Sequence, residues 1–213
     1  MYIRMLVLLG ISLYTIRIIL KVLGFDDYGT YNIVASILVF FTFINNGLTS
    51  ATKRYITTEI AKNDEEQERH VFNTCFIAHI GISVVILLLG ETIGLWIVNN
   101  ILNIPPDRLS AANWVYQFSL LAAIIGILRS PYEAAIIAHE KMNVFALFSI
   151  IDASLSLLIV YLLEVISGDK LIIYSILLVS CTIITIFIYI TFCVRQFPIC
   201  RWQYTNDKSL LKE

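Results

Sequence analysis

The chain has 213 residues, 58% of them hydrophobic and only 15% charged, with a formal net charge of -1 and a mean hydropathy of +0.80. A water-soluble domain carries about a quarter of its residues as Asp, Glu, Lys or Arg, so the composition excludes an ordinary soluble fold. The near-zero net charge also removes the bulk basicity on which nucleic-acid binding depends.

Six stretches are long and apolar enough to cross a bilayer core of about 30 Å, which takes about 20 helical residues. In chain order they are 1–23, 28–48, 71–98, 114–138, 144–166 and 171–194. The first contains Arg17 and Lys21 and is followed by no small-residue cleavage site, so it reads as a retained helix and not as a signal peptide. The separators 24–27, 62–70, 99–113, 139–143 and 167–170 carry glycine, proline, asparagine and charge. Runs such as 82–89 and 172–178 are continuously apolar, which argues against the alternating pattern of a membrane β-barrel. The predicted fold class is therefore an all-α membrane protein, a six-transmembrane-helix bundle over 1–197 with a polar cytoplasmic tail at 198–213.

Basic residues set the orientation. With the N-terminus in the cytoplasm, Lys53, Arg54, Lys62, Arg69, Lys141, Arg195, Arg201, Lys208 and Lys212 fall at cytoplasmic ends, and only Lys21, Arg108 and Lys170 fall outside. Both termini are predicted to be cytoplasmic. The stretch 51–61 alternates apolar and charged positions after Asn45-Asn46-Gly47, and is expected to lie as an extension at the membrane interface, where basic side chains snorkel to the headgroups.

Ionisable residues inside a spanning helix are unfavourable and mark function by default. Arg17 shares a helical stripe with Gly10, Tyr14, Lys21 and Gly24, a face expected to point inward. Arg129 and Glu133 stand four apart around Pro131, close enough to neutralise each other, and the proline should kink the helix. Nearer the outer end of that helix, Asn113, Tyr116 and Gln117 form a polar cluster. Asp152 stands between Ser149 and Ser156, a stripe explained equally by interhelical hydrogen bonds and by a water-filled cavity.

Other motifs are weak. Asp26-Asp27 has no second acidic cluster and reads as a turn; Cys75 and His79 lack a third metal ligand. The four cysteines, Cys75, Cys181, Cys193 and Cys200, form no C-x-x-C pair and read as packed thiols. No metal, cofactor or enzymatic motif is expected.

Several segments together resemble a known family. LGFDDYGTYNIV at 23–34, NNGLTSATKR at 45–54, ETIGLWIVNN at 91–100, IPPDRLSAANWVYQF at 104–118, IAHEKM at 137–142 and FPICR at 197–201 are similar to the bacterial polysaccharide-export flippases. These are the O-antigen and lipid-linked oligosaccharide flippases of the multidrug/oligosaccharidyl-lipid/polysaccharide exporter superfamily. The resemblance implies one lobe of a two-lobed, MATE-like exporter in the bacterial inner membrane. It also implies a job, moving a polyprenyl-diphosphate-linked sugar between leaflets by alternating access. The chain matches only the N-terminal lobe, so the expected partners are the lipid-linked oligosaccharide, membrane lipids and a second six-helix lobe, from another chain or from self-association.

A diphosphate in a low-dielectric core needs cationic partners. Arg17, within SLYT-x-R, is the first candidate; Tyr14, Lys21, Arg129, Gln117 and Asn113 are further cavity candidates. Asp152 and Glu133 are the candidates for ion coupling in an alternative reading as a drug or cation antiporter. A non-transporting membrane subunit or an inactive remnant is a further alternative, and a membrane enzyme acting on polyprenyl phosphates would require paired acids or a metal cluster that the sequence does not offer.

Overall fold

A computed structural model describes residues 2–62, 64–102 and 104–200. Among the described residues every regular element is a helix, with no strand. The elements are α1 (Tyr2–Lys62), α2 (Glu65–Leu89), a π-helical turn (Gly90–Gly94), α3 (Leu95–Asn100), α4 (Leu109–Ala138), α5 (Met142–Val165), α6 (Lys170–Gln196) and a 3-10 turn (Pro198–Cys200). Five helical stretches are long and apolar enough to cross a membrane: α1, the α2–α3 stretch, α4, α5 and α6.

The first two predicted spans are thus joined in one 61-residue element, interrupted at Gly24 (φ 81, ψ 172). That backbone conformation is open to glycine and strained for any residue with a Cβ. The expected loop at 24–27 contracts to this one residue, because Phe25, Asp26 and Asp27 already belong to the next helical leg.

Contacts give the direction of each leg. Arg4 meets Ser149 and Lys21 meets Glu164, so leg 2–23 runs parallel to α5. Asp27 meets Arg108 and Asn45 meets Ser130, so leg 25–62 runs parallel to α4. Helices α4 and α5 form an antiparallel hairpin closed at 139–141, and the two legs of α1 therefore run in opposite directions.

Two other boundaries differ from the sequence reading. The expected separator 62–70 is mostly helix, because Asp64 caps α2 by accepting the Gln67 N–H at 3.0 Å. Glu65, Glu66 and Glu68 in the first turn then complement the positive end of the helix. The stretch 51–61 continues α1 without a break, with Thr52, Ile56 and Glu59 buried against the bundle. A buried residue about every turn holds this segment to the protein.

The apolar core falls into two clusters. One, near the Gly24 end, contains Leu23, Val34, Val115, Tyr116, Leu120, Leu163 and Leu171. The other, near the His139 end, contains Ile56, Phe72, Tyr132, Ile136, Phe148, Tyr189 and Cys193. Ile199 and Cys200 belong to the second cluster, so the expected polar tail starts with residues that pack into the protein. Residues 201–213 of that tail lie outside the described residues. The four cysteines are free thiols; a hydrogen bond with Cys193, and then burial, push the Cys200 thiol well above its ordinary range.

Candidate functional site

Between the two apolar clusters lies a layer of polar side chains. Arg129 on α4 donates from Nη1 to Asp152 Oδ2 on α5 at 3.2 Å, and its guanidinium carbon sits 5.2 Å from the ring centre of Tyr189 on α6. Ser130 Oγ, next along α4, is shared between Asn45 Oδ1 on α1 and the Gly126 carbonyl, at 3.1 Å each. His79 on α2 is fully buried, with Nδ1 at 2.8 Å from the Cys75 carbonyl. Helices α2 and α4 run antiparallel, with Glu68 beside His139 and Gly90 beside Tyr116, and this register sets His79 level with Arg129 and Ser130. Each long helix thus contributes to one layer.

The layer sits about 14 Å in from the end of α4 at 1.5 Å per residue. Arg129 and Asp152 are each about a quarter to a third exposed (25% and 30% for the side chains). Their hydrogen bonding is incomplete. Arg129 Nε, Asp152 Oδ1 and His79 Nε2 are buried with no partner among the described residues. Pro131, inside α4, has no N–H for the Ile127 carbonyl and so removes one more backbone bond at the same level. Helix α4 nevertheless continues through it to Ala138. A guanidinium with a spare N–H beside a carboxylate with a spare oxygen is suited to bind an anion or to exchange a proton.

The sequence allowed Arg129 to be neutralised by Glu133 on its own helix. The structure pairs it instead with Asp152, and Glu133 makes no ion pair among the described residues. The Ser149–Asp152–Ser156 stripe resolves in the same way. Ser149 receives Arg4 Nη1 at 3.2 Å, Asp152 receives Arg129, and Ser156 bonds back to the Asp152 carbonyl at 2.9 Å.

Arg17 does not face the interior. Thr15, Ile19 and Leu23 are the buried positions among the described side chains of leg 2–23; Arg17 stands two residues, a turn of about 200°, from both Thr15 and Ile19, so it lies on the opposite, exposed side. It has no ion pair or hydrogen bond among the described residues. Its companions share that exposed edge beside α5: Tyr14 hydroxyl is 3.0 Å from Tyr161 hydroxyl, and Lys21 Nζ is 3.8 Å from Glu164. The predicted stripe exists as one face, with its direction reversed.

Asn113 and Gln117 belong to a third place, a rung of amides between α4 and the α2–α3 stretch. Asn113 and Asn99 exchange hydrogen bonds at 3.0 and 3.2 Å, and Gln117 Nε2 donates to Glu91 at 3.1 Å. Tyr116, also in the predicted cluster, is fully buried and donates to the Gly90 carbonyl at 2.8 Å. Its ring fills the space left by Gly90 and Gly94, where an added Cβ would overlap Leu120 and the Tyr116 hydroxyl respectively. The π-helical turn occurs here, where the carbonyl of Gly90 is drawn to a neighbouring helix. The G-x-x-x-G spacing was the available signal for this close approach.

The sequence reading also missed an ionic clamp at the Gly24 end. Arg108 reaches Asp27 on α1 and Asp169 at the start of α6, at 3.1 Å each, so one guanidinium ties three helix ends. Asp169 accepts the Leu171 N–H with its other oxygen. Among the described residues, no group of three or more His, Cys, Asp or Glu is arranged to hold a metal ion.

No protein-family model, curated protein or solved structure matches the chain.

Proposed function

We infer that the chain is a six-crossing lobe of a transporter in the bacterial inner membrane, moving a polyprenyl-diphosphate-linked sugar for surface polysaccharide synthesis. The reversal of α1 at Gly24 supports six crossings from five helical elements. Lys53, Arg54, Lys62, Lys141 and Arg195 lie toward one end of the bundle, which this reading makes cytoplasmic, with Arg108 and Lys170 at the other. The motif resemblance supplies the substrate class.

The observation that carries the reading is the Arg129–Asp152 pair, a cation held deep in a membrane bundle with hydrogen-bonding capacity left over. A pair serving packing alone would be disfavoured against apolar residues of equal size. The exposed edge of Tyr14, Arg17 and Lys21 supports the second half of the reading, because cations facing outward at these positions call for an adjoining lobe or a shared aqueous cavity. Arg17 and Lys21 then present charge to the diphosphate from one wall and Arg129 from the interior. The protein acts by alternating access and not as an enzyme.

The test is complementation of a polysaccharide-export defect by the assembled transporter. Arg129→Gln and Arg17→Glu are each expected to abolish surface polysaccharide while membrane insertion, followed by protease protection, is unchanged. Normal export with both substitutions would remove these cations from the mechanism. A drug or cation antiporter is the second reading, favoured by the unfilled Oδ1 of Asp152. It is distinguished by loss of drug resistance in Asp152→Asn with polysaccharide export unaffected.

A further inference from the structure

An open groove of about 710 Å³ runs along the outside of the bundle on α6, which supplies all of its lining except Phe148 of α5. Its walls are apolar, with Phe148 at its floor and Ile184, Phe187, Ile188 and Phe192 along its length; Arg195 and Gln196 stand at one mouth. Phe148 is fixed there by edge-on contacts with Tyr189 and Phe192, at 4.7 and 5.4 Å between ring centres. Helix α6 stops at Gln196, and the chain turns inward as Phe197 packs against His139 at 4.2 Å, which leaves the mouth open. Arg195 is exposed and has no ion pair or hydrogen bond among the described residues.

The dimensions choose the occupant. From Ile184 to Arg195 the groove follows α6 for about 17 Å at 1.5 Å per residue. That is close to one leaflet, half of a hydrocarbon core of about 30 Å. A transmembrane helix from a partner would run the full core and would need a groove twice as long. An acyl chain needs one leaflet of apolar wall, and an anionic headgroup needs a cation where that wall ends. Arg195, in the last turn of α6, supplies this cation, and Thr191 and Gln196 add hydrogen-bonding groups on the way to it.

We propose that the α5–α6 groove is a binding site for an anionic phospholipid, with an acyl chain along Ile184–Phe192 and the phosphate on Arg195. The site does not depend on which substrate the protein carries. Phe148 and Tyr189 stand between it and the Arg129–Asp152 pair, and it offers the membrane a way to favour the fold in anionic bilayers.

Native mass spectrometry of the purified full chain, equilibrated with phosphatidylglycerol or with phosphatidylcholine of the same acyl composition, tests the proposal. The expected result is preferential retention of phosphatidylglycerol. Arg195→Gln should lower its retention about fivefold, the effect of one basic side chain near an anionic headgroup. Thr191→Trp, which fills the groove and keeps the charge, should lower it as well. Both positions are exposed, and thermal melting verifies that each variant is folded. Equal retention of the two lipids, or retention untouched by both substitutions, overturns the proposal. So does a dimer dispersed by Thr191→Trp, which would assign the groove to a second copy.

Discussion

Arg108 and Arg129 bind carboxylates at nearly the same distance, 3.1 and 3.2 Å, yet they occupy different kinds of place. Arg108 lies at helix ends, between two carboxylates that belong to two other helices. No polar atom of Arg108, Asp27 or Asp169 is left buried and unpaired. Arg129 lies inside the bundle with one carboxylate, and both partners keep an unfilled position. A saturated pair at a rim fixes architecture. An unsaturated pair in a low-dielectric interior keeps interaction energy in reserve for a ligand, and this is the reason to look for function there and for fastening at the rim.

The most severe way to break this comparison is to leave Arg129 alone. Asp152→Leu should destabilise the protein by about 3 kcal/mol, the order of an unpaired charge at the centre of a membrane helix. Thermal melting in detergent should show it as a clear fall in melting temperature. The double change Arg129→Leu with Asp152→Leu should recover most of that loss, because replacing a whole buried pair is far less harmful than removing one partner. A double variant as unstable as the single would mean that the pair holds the fold, as Arg108 does.

A packing change gives a comparable but smaller effect and serves as a reference for what architecture alone costs. Gly94→Ala places a methyl group against the Tyr116 hydroxyl and should destabilise by about 2 kcal/mol. Gly10→Ala, with open space around it, should leave melting unchanged. Equal effects at the two glycines would show that the close approach of α4 to the π-helical turn is not tight.

At the rim, Arg108→Gln should lower stability by about 1 kcal/mol, since its guanidinium is 38% exposed and its pairs are partly screened. Spin labels at the Gly24 ends of α1 and α6 should report a broader distance distribution in that variant. An unchanged distribution would mean that apolar packing of Leu23, Leu163 and Leu171 holds these ends without the clamp. The smallest effect is expected at Arg17. With no partner among the described residues, Arg17→Gln should melt as the parent does while losing export, separating a role in function from a role in the fold.

Much of this was legible in the chain itself. Long apolar stretches must become helices in a bilayer, since only helices satisfy their own backbone there, and that requirement is local. Capping at Asp64 and the conformation at Gly24 are local too, although the sequence reading placed loops where the chain needs only one or two residues to turn. The identity of the intramembrane charges, Arg17, Arg129, Glu133 and Asp152, was visible as soon as they were counted. Their partners were not. Helical periodicity says which residues share a face but not which way the face points, so the Gly10–Tyr14–Arg17–Lys21 stripe was found and then oriented inward when it lies outward.

Composition therefore determined the class of the protein and the rough position of its helices, because both follow from the free energy of placing each segment in lipid or water. Pairing across helices belonged to the tertiary structure. Whether Arg129 meets Glu133, one turn away, or Asp152, on the next helix, depends on how α4 and α5 are rotated against each other. That rotation is set by the apolar clusters above and below the pair, which no local rule contains. The same packing brings Arg108 to two carboxylates distant in sequence and Arg129 to one, and leaves Arg195 with none among the described residues, so one residue type serves as clamp and candidate ligand according to what the fold puts beside it.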